Sequence, residues 1–302
     1  MSKRKILVLV MSCNQKHFVD GEAVVRETWA KPILEGEYEN IDFYSYTGGN
    51  DKQYVDKDEH RVYCMSGDGI YETHQKTVEC IALLMKNGID FDYIFRTNTS
   101  TVTNVGLLDA FVNTIEDDSV VWGGELYSIG VPCPFSDSLY IRGNSIILSK
   151  KLCCIILDWT KYLRIPRIFF ADDNLIGNIL NTYHILRFED YRNFIKSYGF
   201  AWYKSEKNYN PKLNNGCSDW SNTNTDYDYL KNFISIQIKI YGDRAEEFDN
   251  MKLISSIVNV KKEYYDDEFN FIKKFSDNPT FFINNTRKGI REYRFLQKPT
   301  GS

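Results

Sequence analysis

The sequence predicts an α/β protein, a mostly parallel sheet flanked by helices, followed by a smaller α+β appendage. Three observations predict it. Residues 6–11, Ile-Leu-Val-Leu-Val-Met, form an unbroken apolar run of the kind found in strands buried on both faces. Strand-like and helix-like stretches then alternate as far as residue 149, the pattern of βα units. A length of 302 residues holds either one large domain or one domain with a substantial appendage, and the composition favours the second.

Taken in order, residues 6–11 are a strand and residues 23–29, Ala-Val-Val-Arg-Glu-Thr-Trp, a short helix. Residues 41–46 form a second strand that ends at Gly48-Gly49, and residues 61–64 a third. A helix over 77–85 leads to a fourth strand at 93–96. Leu107, Leu108, Phe111, Val112 and Ile115 keep one helical face, and short strands follow at 120–122 and 145–149. Ligands of such sheets sit beyond the carboxyl ends of the strands. A stretch rich in Asn, Ser, Thr and Asp at 208–226 reads as a long loop, so the division is residues 1–198 and 199–302. Beyond it, Ile234, Ile236, Ile238 and Ile240 alternate as in a strand, while Phe248, Met251, Ile254, Ile257 and Val258 follow helical spacing.

Composition removes several classes of function. Hydrophobic residues at 43% and charged residues at 26% are ordinary globular values and exclude a disordered or fibrous chain. A net charge of −4 attracts no polyanion, so nucleic acid is not an expected partner. Aromatic residues reach 15%, which suits a cleft with flat walls but is explained first by an aromatic-rich core. Seven cysteines without C-x-x-C spacing read as reduced and mostly buried, and the run at 6–11 is too short for a signal peptide or a membrane span. The expectation is a soluble, cytoplasmic protein. His17, His60, His74 and His184 have no metal-ligand spacing, and no G-x-S-x-G, Walker or G-x-G-x-x-G motif is present.

Among residues that could carry chemistry, Asp172 and Asp173 stand just ahead of Leu175, Ile176, Ile179 and Leu180, which repeat like a helix face. Taken alone, each is first a helix N-cap, because Asp is a favoured cap whose charge suits the positive end of a helix. Arg26 reads as a helix-surface charge, Trp29 as a core anchor and Lys76 as part of a solvated helix face. Lys76 and Arg96 also have the chemistry to meet a diphosphate, the first as a point charge and the second through paired hydrogen bonds. Gly143, in Tyr140-Ile-Arg-Gly-Asn-Ser145, is a backbone-permissive position that would also allow a ligand to approach closely.

Five blocks in order give these residues a second reading. They are Arg26-Glu-Thr-Trp29; Asp68-Gly-Ile-Tyr71 with Lys76-Thr77; Tyr93-Ile-Phe-Arg-Thr-Asn-Thr-Ser100 with Asn104; Leu139 through Ser149; and Phe170-Ala-Asp-Asp-Asn-Leu-Ile-Gly177. Together they resemble the beta-1,3-galactosyltransferase and fringe-like family over residues 5 to 185. The resemblance implies a GT-A-type fold and transfer of a hexose from a UDP-sugar to a glycan or glycoconjugate acceptor, with inversion at the anomeric carbon. A galactose-like donor follows from the family alone. It implies Asp173 as the base with Asp172 beside it, and a donor site of Arg26, Trp29, Tyr71, Lys76, Arg96, Asn98 and Ser100. Arg142, Gly143 and Asn144 would border the acceptor.

The chain departs from the family at the end of the fourth strand. Asn98-Thr99-Ser100 stands where the family carries the aspartates that hold a divalent cation. Three explanations stay open: a metal-free enzyme with Arg96 and Lys76 neutralising the diphosphate, weak binding of Mn²⁺ or Mg²⁺ through other oxygens, or a fold that binds a glycan without catalysis. The expectation is that no metal is required. A transferase acting on bases in DNA is a weaker alternative.

Overall fold

The computed structural model describes residues 3–113, 120–128, 139–160, 173, 176, 195–199, 202–207, 234–240, 244–258 and 290–291. β1 (Ile6–Met11) is the central strand, as its apolar run requires. It pairs in parallel with β2 (Ile41–Thr47) on one side and β5 (Tyr93–Asn98) on the other. With β3 (Tyr54–Asp56), β4 (Arg61–Tyr63), β7 (Val120–Ser128), β8 (Leu139–Ser149) and β9 (Ile195–Gly199) they form an eight-stranded sheet, order β3-β4-β2-β1-β5-β8-β7-β9. The β2–β4 and β7–β9 pairs are also parallel, and β3, β5 and β7 meet their remaining neighbours antiparallel.

Alternation along β1 divides the core in two. Ile6, Val8 and Val10 face one side, packed with Val24, Val25 and Trp29, Phe43 and Phe95. Leu7 and Leu9 face the other, packed with Cys80, Ile81 and Leu84, Ile94, Ile146 and Leu152. Helices α1 (Lys16–Glu27) and α4 (Val105–Asn113) therefore cover the first face, and α3 (Thr73–Lys86) and α5 (Lys150–Thr160) the second. A four-residue helix α2 (Lys31–Leu34) leads into β2. The first two predicted helices begin earlier than the apolar period announces. α1 opens on polar residues carrying an exposed Lys16–Asp20 pair, and α3 opens on His74 and Lys76, which are buried but polar. A hydrophobic period registers neither.

The described part of the segment set apart as an appendage packs against the first region. β11 (Ser235–Ile240) pairs antiparallel with β6 (Thr101–Thr103), Ile236 opposite Val102, in a second sheet ordered β12-β10-β11-β6. In that sheet β10 is Trp202–Lys207 and β12 is Ile290–Arg291. Ile234, Ile236 and Ile238, with Met251, Ile254 and Val258 of α6 (Arg244–Val258), join the same core as β1 and α1. A side chain at Gly21 of α1 would sit 3.3 Å from the Phe248 ring, so the missing Cβ lets α6 lie close. The isoleucine alternation was visible in the sequence, but its partner, a three-residue strand just after β5, was too short to signal itself. The expected loop at 208–226 lies outside the described residues, as does most of the predicted helix after Asp173; Asp173 and Ile176 are both helical.

Candidate functional site

The crossovers define where a ligand belongs. α1, from β1 to β2, lies on one face of the sheet, and α3, from β4 to β5, lies on the other, so the connections part between β1 and β5. In doubly wound sheets that divergence leaves a crevice at the carboxyl ends of the strands. Here those ends are residues 11–14, 47–49 and 98–100, and the Lys76 end of α3 meets them.

Asp68 ties this end of the sheet together. Its Oδ1 accepts from the Gly48 N–H at 2.7 Å and from Lys76 Nζ at 2.6 Å, and its Oδ2 accepts from the Asn14 N–H at 3.0 Å. Lys76 Nζ also donates to the Ser12 carbonyl at 2.7 Å, and Asn14 Nδ2 donates to the Gly48 carbonyl at 2.9 Å. Lys76 is therefore not on a solvated helix face: its side chain is 2% exposed and locked to the end of β1. A Cβ at Gly48 would collide with the carbonyl oxygens of Ser66 and Gly67, so the glycine lets the 66–69 loop close over β2.

A second network runs along the face of β5 that α3 covers. Leu9 pairs with Arg96 and Met11 with Tyr46 and Asn98, which puts Met11, Tyr46 and Arg96 on one side of the sheet. The Arg96 guanidinium donates from Nε to Tyr46 Oη at 3.2 Å, from Nη2 to Met11 Sδ at 3.0 Å, and from Nη1 to the Gly143 carbonyl oxygen. Tyr46 Oη shares a hydrogen bond of 3.0 Å with Thr77 Oγ1 of α3. The β5–β8 register ends at Thr97↔Ser145, so Gly143 lies beyond the last paired position. Its N–H donates to Asp173 Oδ2 at 3.0 Å. Asp173 and Gly143, expected to serve as base and acceptor border, are thus brought together beyond the carboxyl end of β5.

Other expected site residues are placed elsewhere. Arg96 is 1% exposed, so it forms part of the floor rather than reaching outward to a diphosphate. Trp29 is fully buried against Phe43 in the first core, the core-anchor position, because α1 turns it under the sheet. Arg26 donates to Glu22 Oε1 at 2.9 Å, to Ser45 Oγ at 2.9 Å and to the His60 carbonyl at 3.1 Å. Glu22 Oε1 also accepts from Arg61 at 2.5 Å and Ser45 Oγ at 2.7 Å, so Arg26 belongs to a charge cluster between α1, β2 and β4. Burial alone would push the Glu22 carboxyl up, but hydrogen bonds from Arg61 and Ser45 and the Arg61 charge outweigh it and hold it below its ordinary value. Tyr71 is 57% exposed on the loop above α3, beside exposed Ile70. Asp172 lies outside the described residues, as do the side chains of Arg142 and Asn144.

The end of β5 does not fit a divalent cation. Asn98 Oδ1 accepts from the Ser100 N–H at 3.0 Å and from Thr101 Oγ1 at 2.9 Å, which uses both lone pairs of that oxygen in its own turn. Thr99 and Ser100 are buried and neutral. Hard cations favour charged oxygens. Among the described residues no group of three or more His, Cys, Asp or Glu side chains is arranged to hold a metal. Cys13, beside the Asp68 network, is buried and free, and burial pushes its thiol up, away from thiolate chemistry. The residues that sequence reasoning passed over are Asp68, Asn14 and Tyr46. Asp68 lay within a quoted block, but nothing in a sequence shows that its carboxylate would cap two strand ends.

No family model matches the chain, and no curated protein matches it. The solved structures similar to it include two glycosyltransferases. One is a glycosyltransferase involved in the glycosylation of the major capsid of PBCV-1, at 9% identity and TM-score 0.44, covering 82% of this chain and 99% of that one. The other is the galactosyltransferase LgtC in complex with donor and acceptor sugar analogs, at 10% identity and TM-score 0.42, covering 87% and 99%. At these scores neither likeness assigns an activity. Among the described residues no helix is long and apolar enough to cross a membrane.

Proposed function

We propose that the chain is an inverting glycosyltransferase that moves a hexose from a UDP-sugar to a glycan or glycoconjugate acceptor. The observation that carries this reading is Asp173, a carboxylate fixed by the Gly143 N–H beside the crevice of a doubly wound sheet. The ordered sequence blocks supply the direction: Lys76 and Asp68 come from one, Arg96 from another, Gly143 and Asp173 from the last two, and all reach the same end of the sheet.

In this reading the acceptor hydroxyl loses its proton to Asp173 as its oxygen attacks the anomeric carbon. The bond between that carbon and the diphosphate oxygen breaks on the opposite side, and UDP leaves with the electron pair. Lys76, held in the floor, offsets the leaving charge as a fixed cation that needs no reorganisation during reaction. The reaction is proposed to run without divalent metal, since Asn98 offers no carboxylate. A galactose-like donor is kept from the family resemblance. The neutral strand end also favours a second reading, a glycan-binding protein of the same fold without catalysis.

A panel of nucleotides, nucleotide sugars and glycans, followed by thermal melting, tests the first step. Ligand at about 100 times its dissociation constant adds about 2.7 kcal/mol. UDP-sugar binding with UDP release supports transfer, glycan binding alone supports the second reading, and silence across the panel refutes both.

A further inference from the structure

The geometry points to Arg96 as a positioning residue for Asp173, acting through the backbone of Gly143 rather than by touching the donor. It rests on the transfer reading, in which Asp173 is the base. Arg96 is 1% exposed, and its guanidinium reaches partners on several strands, among them Met11 at the end of β1, Tyr46 on β2 and Gly143 on β8. A guanidinium makes several directed hydrogen bonds at once, and a single ammonium cannot reproduce that spread.

Gly143 joins this anchor to the carboxylate. Its carbonyl accepts from Arg96 and its N–H donates to Asp173, so both polar groups of one residue are used in the link. Gly143 lies beyond the last β5–β8 pair, where among the described residues no ladder pairing with β5 sets its position. Arg96 supplies that missing tie. The chain continues backwards through Tyr46 Oη to Thr77 Oγ1, next to Lys76 on α3. One hydrogen-bonded path therefore spans from the helix that bears Lys76 to the base.

Arg96→Met, Arg96→Lys and Tyr46→Phe in the full chain test it, Tyr46→Phe being the mildest because it removes one hydroxyl. Three quantities are read: UDP affinity by calorimetry, kcat and KM with the donor found in the panel, and hydrogen exchange at the Gly143 amide. A base displaced by a fraction of an ångström loses on the order of 10- to 100-fold in rate. The expected result for Arg96→Met is that loss in kcat, with UDP affinity and donor KM within about threefold, partial recovery in Arg96→Lys, and about tenfold faster Gly143 exchange. UDP affinity that falls at least tenfold with kcat unchanged would make Arg96 a donor ligand and overturn the inference. Unchanged Gly143 exchange in both Arg96→Met and Tyr46→Phe would overturn it equally. A wild-type chain that neither binds nucleotide nor turns over sinks the transfer reading instead, and Gly143 exchange still decides whether the link exists.

Discussion

Replacing Lys76 by Met keeps most of its volume while deleting the ammonium that joins the Asp68 carboxylate to the Ser12 carbonyl. Two hydrogen bonds to a charged group are lost, at 2.6 and 2.7 Å, and Lys76 is 2% and Asp68 18% exposed. Removing one member of a buried charge pair costs about 3–5 kcal/mol. Asp68 keeps the Asn14 and Gly48 N–H groups and some water, which lowers the expectation for Lys76→Met to about 2–3 kcal/mol. Asp68→Asn should cost at least as much, because it leaves the buried ammonium with neutral partners. Urea unfolding of both single variants and the double variant isolates the pair, and a coupling energy of about 1.5–3 kcal/mol is expected for residues in direct contact. A coupling under about 0.5 kcal/mol would place the pair among exposed ion pairs and refute this account of how loop 66–69 is fastened.

Glu22→Ala leaves Arg26 and Arg61 facing each other without a carboxylate, and about 3 kcal/mol of stability should disappear in denaturant unfolding. Because the Glu22 carboxyl is held below its ordinary value, its contribution is present above the unfolded value near 4.5 and fades as pH falls below it; Glu22→Gln should flatten that part of the stability–pH curve. Asp90 bonds to Lys150 and Lys5, which hold its carboxyl down to about 2; its contribution is full above the unfolded value near 3.8 and is lost towards pH 2. That pair is exposed, so Asp90→Asn should cost under about 1 kcal/mol. Trp29→Ala should cost about 3–5 kcal/mol while UDP affinity per folded molecule stays within about twofold, as measured by calorimetry below the melting range.

The parts of the fold legible in the sequence are those carried by apolar period. The run at 6–11 shows a strand covered on both faces, and the isoleucine alternation at 234–240 shows a strand with one favoured side. The site is less legible because its residues are polar groups inside the structure. Lys76 has the spacing of a surface lysine, and only the fold turns it under loop 66–69. Arg96 follows Tyr93-Ile-Phe as a strand's last charged residue would, yet its partners come from β1, β2 and β8, separated from it by 85, 50 and 47 residues. Only the resemblance points to Asp173 rather than to an ordinary helix cap, and its bond to Gly143 joins two blocks that sequence alone could only place in order.

The claim that Asp173 is the base of a sugar transfer is tested most directly by Asp173→Asn with the donor and acceptor identified in the panel, measured in EDTA. The account predicts UDP affinity within about twofold of wild type and turnover lower by about 10²- to 10⁴-fold, the usual effect of losing a positioned base. Unchanged turnover in Asp173→Asn would contradict it.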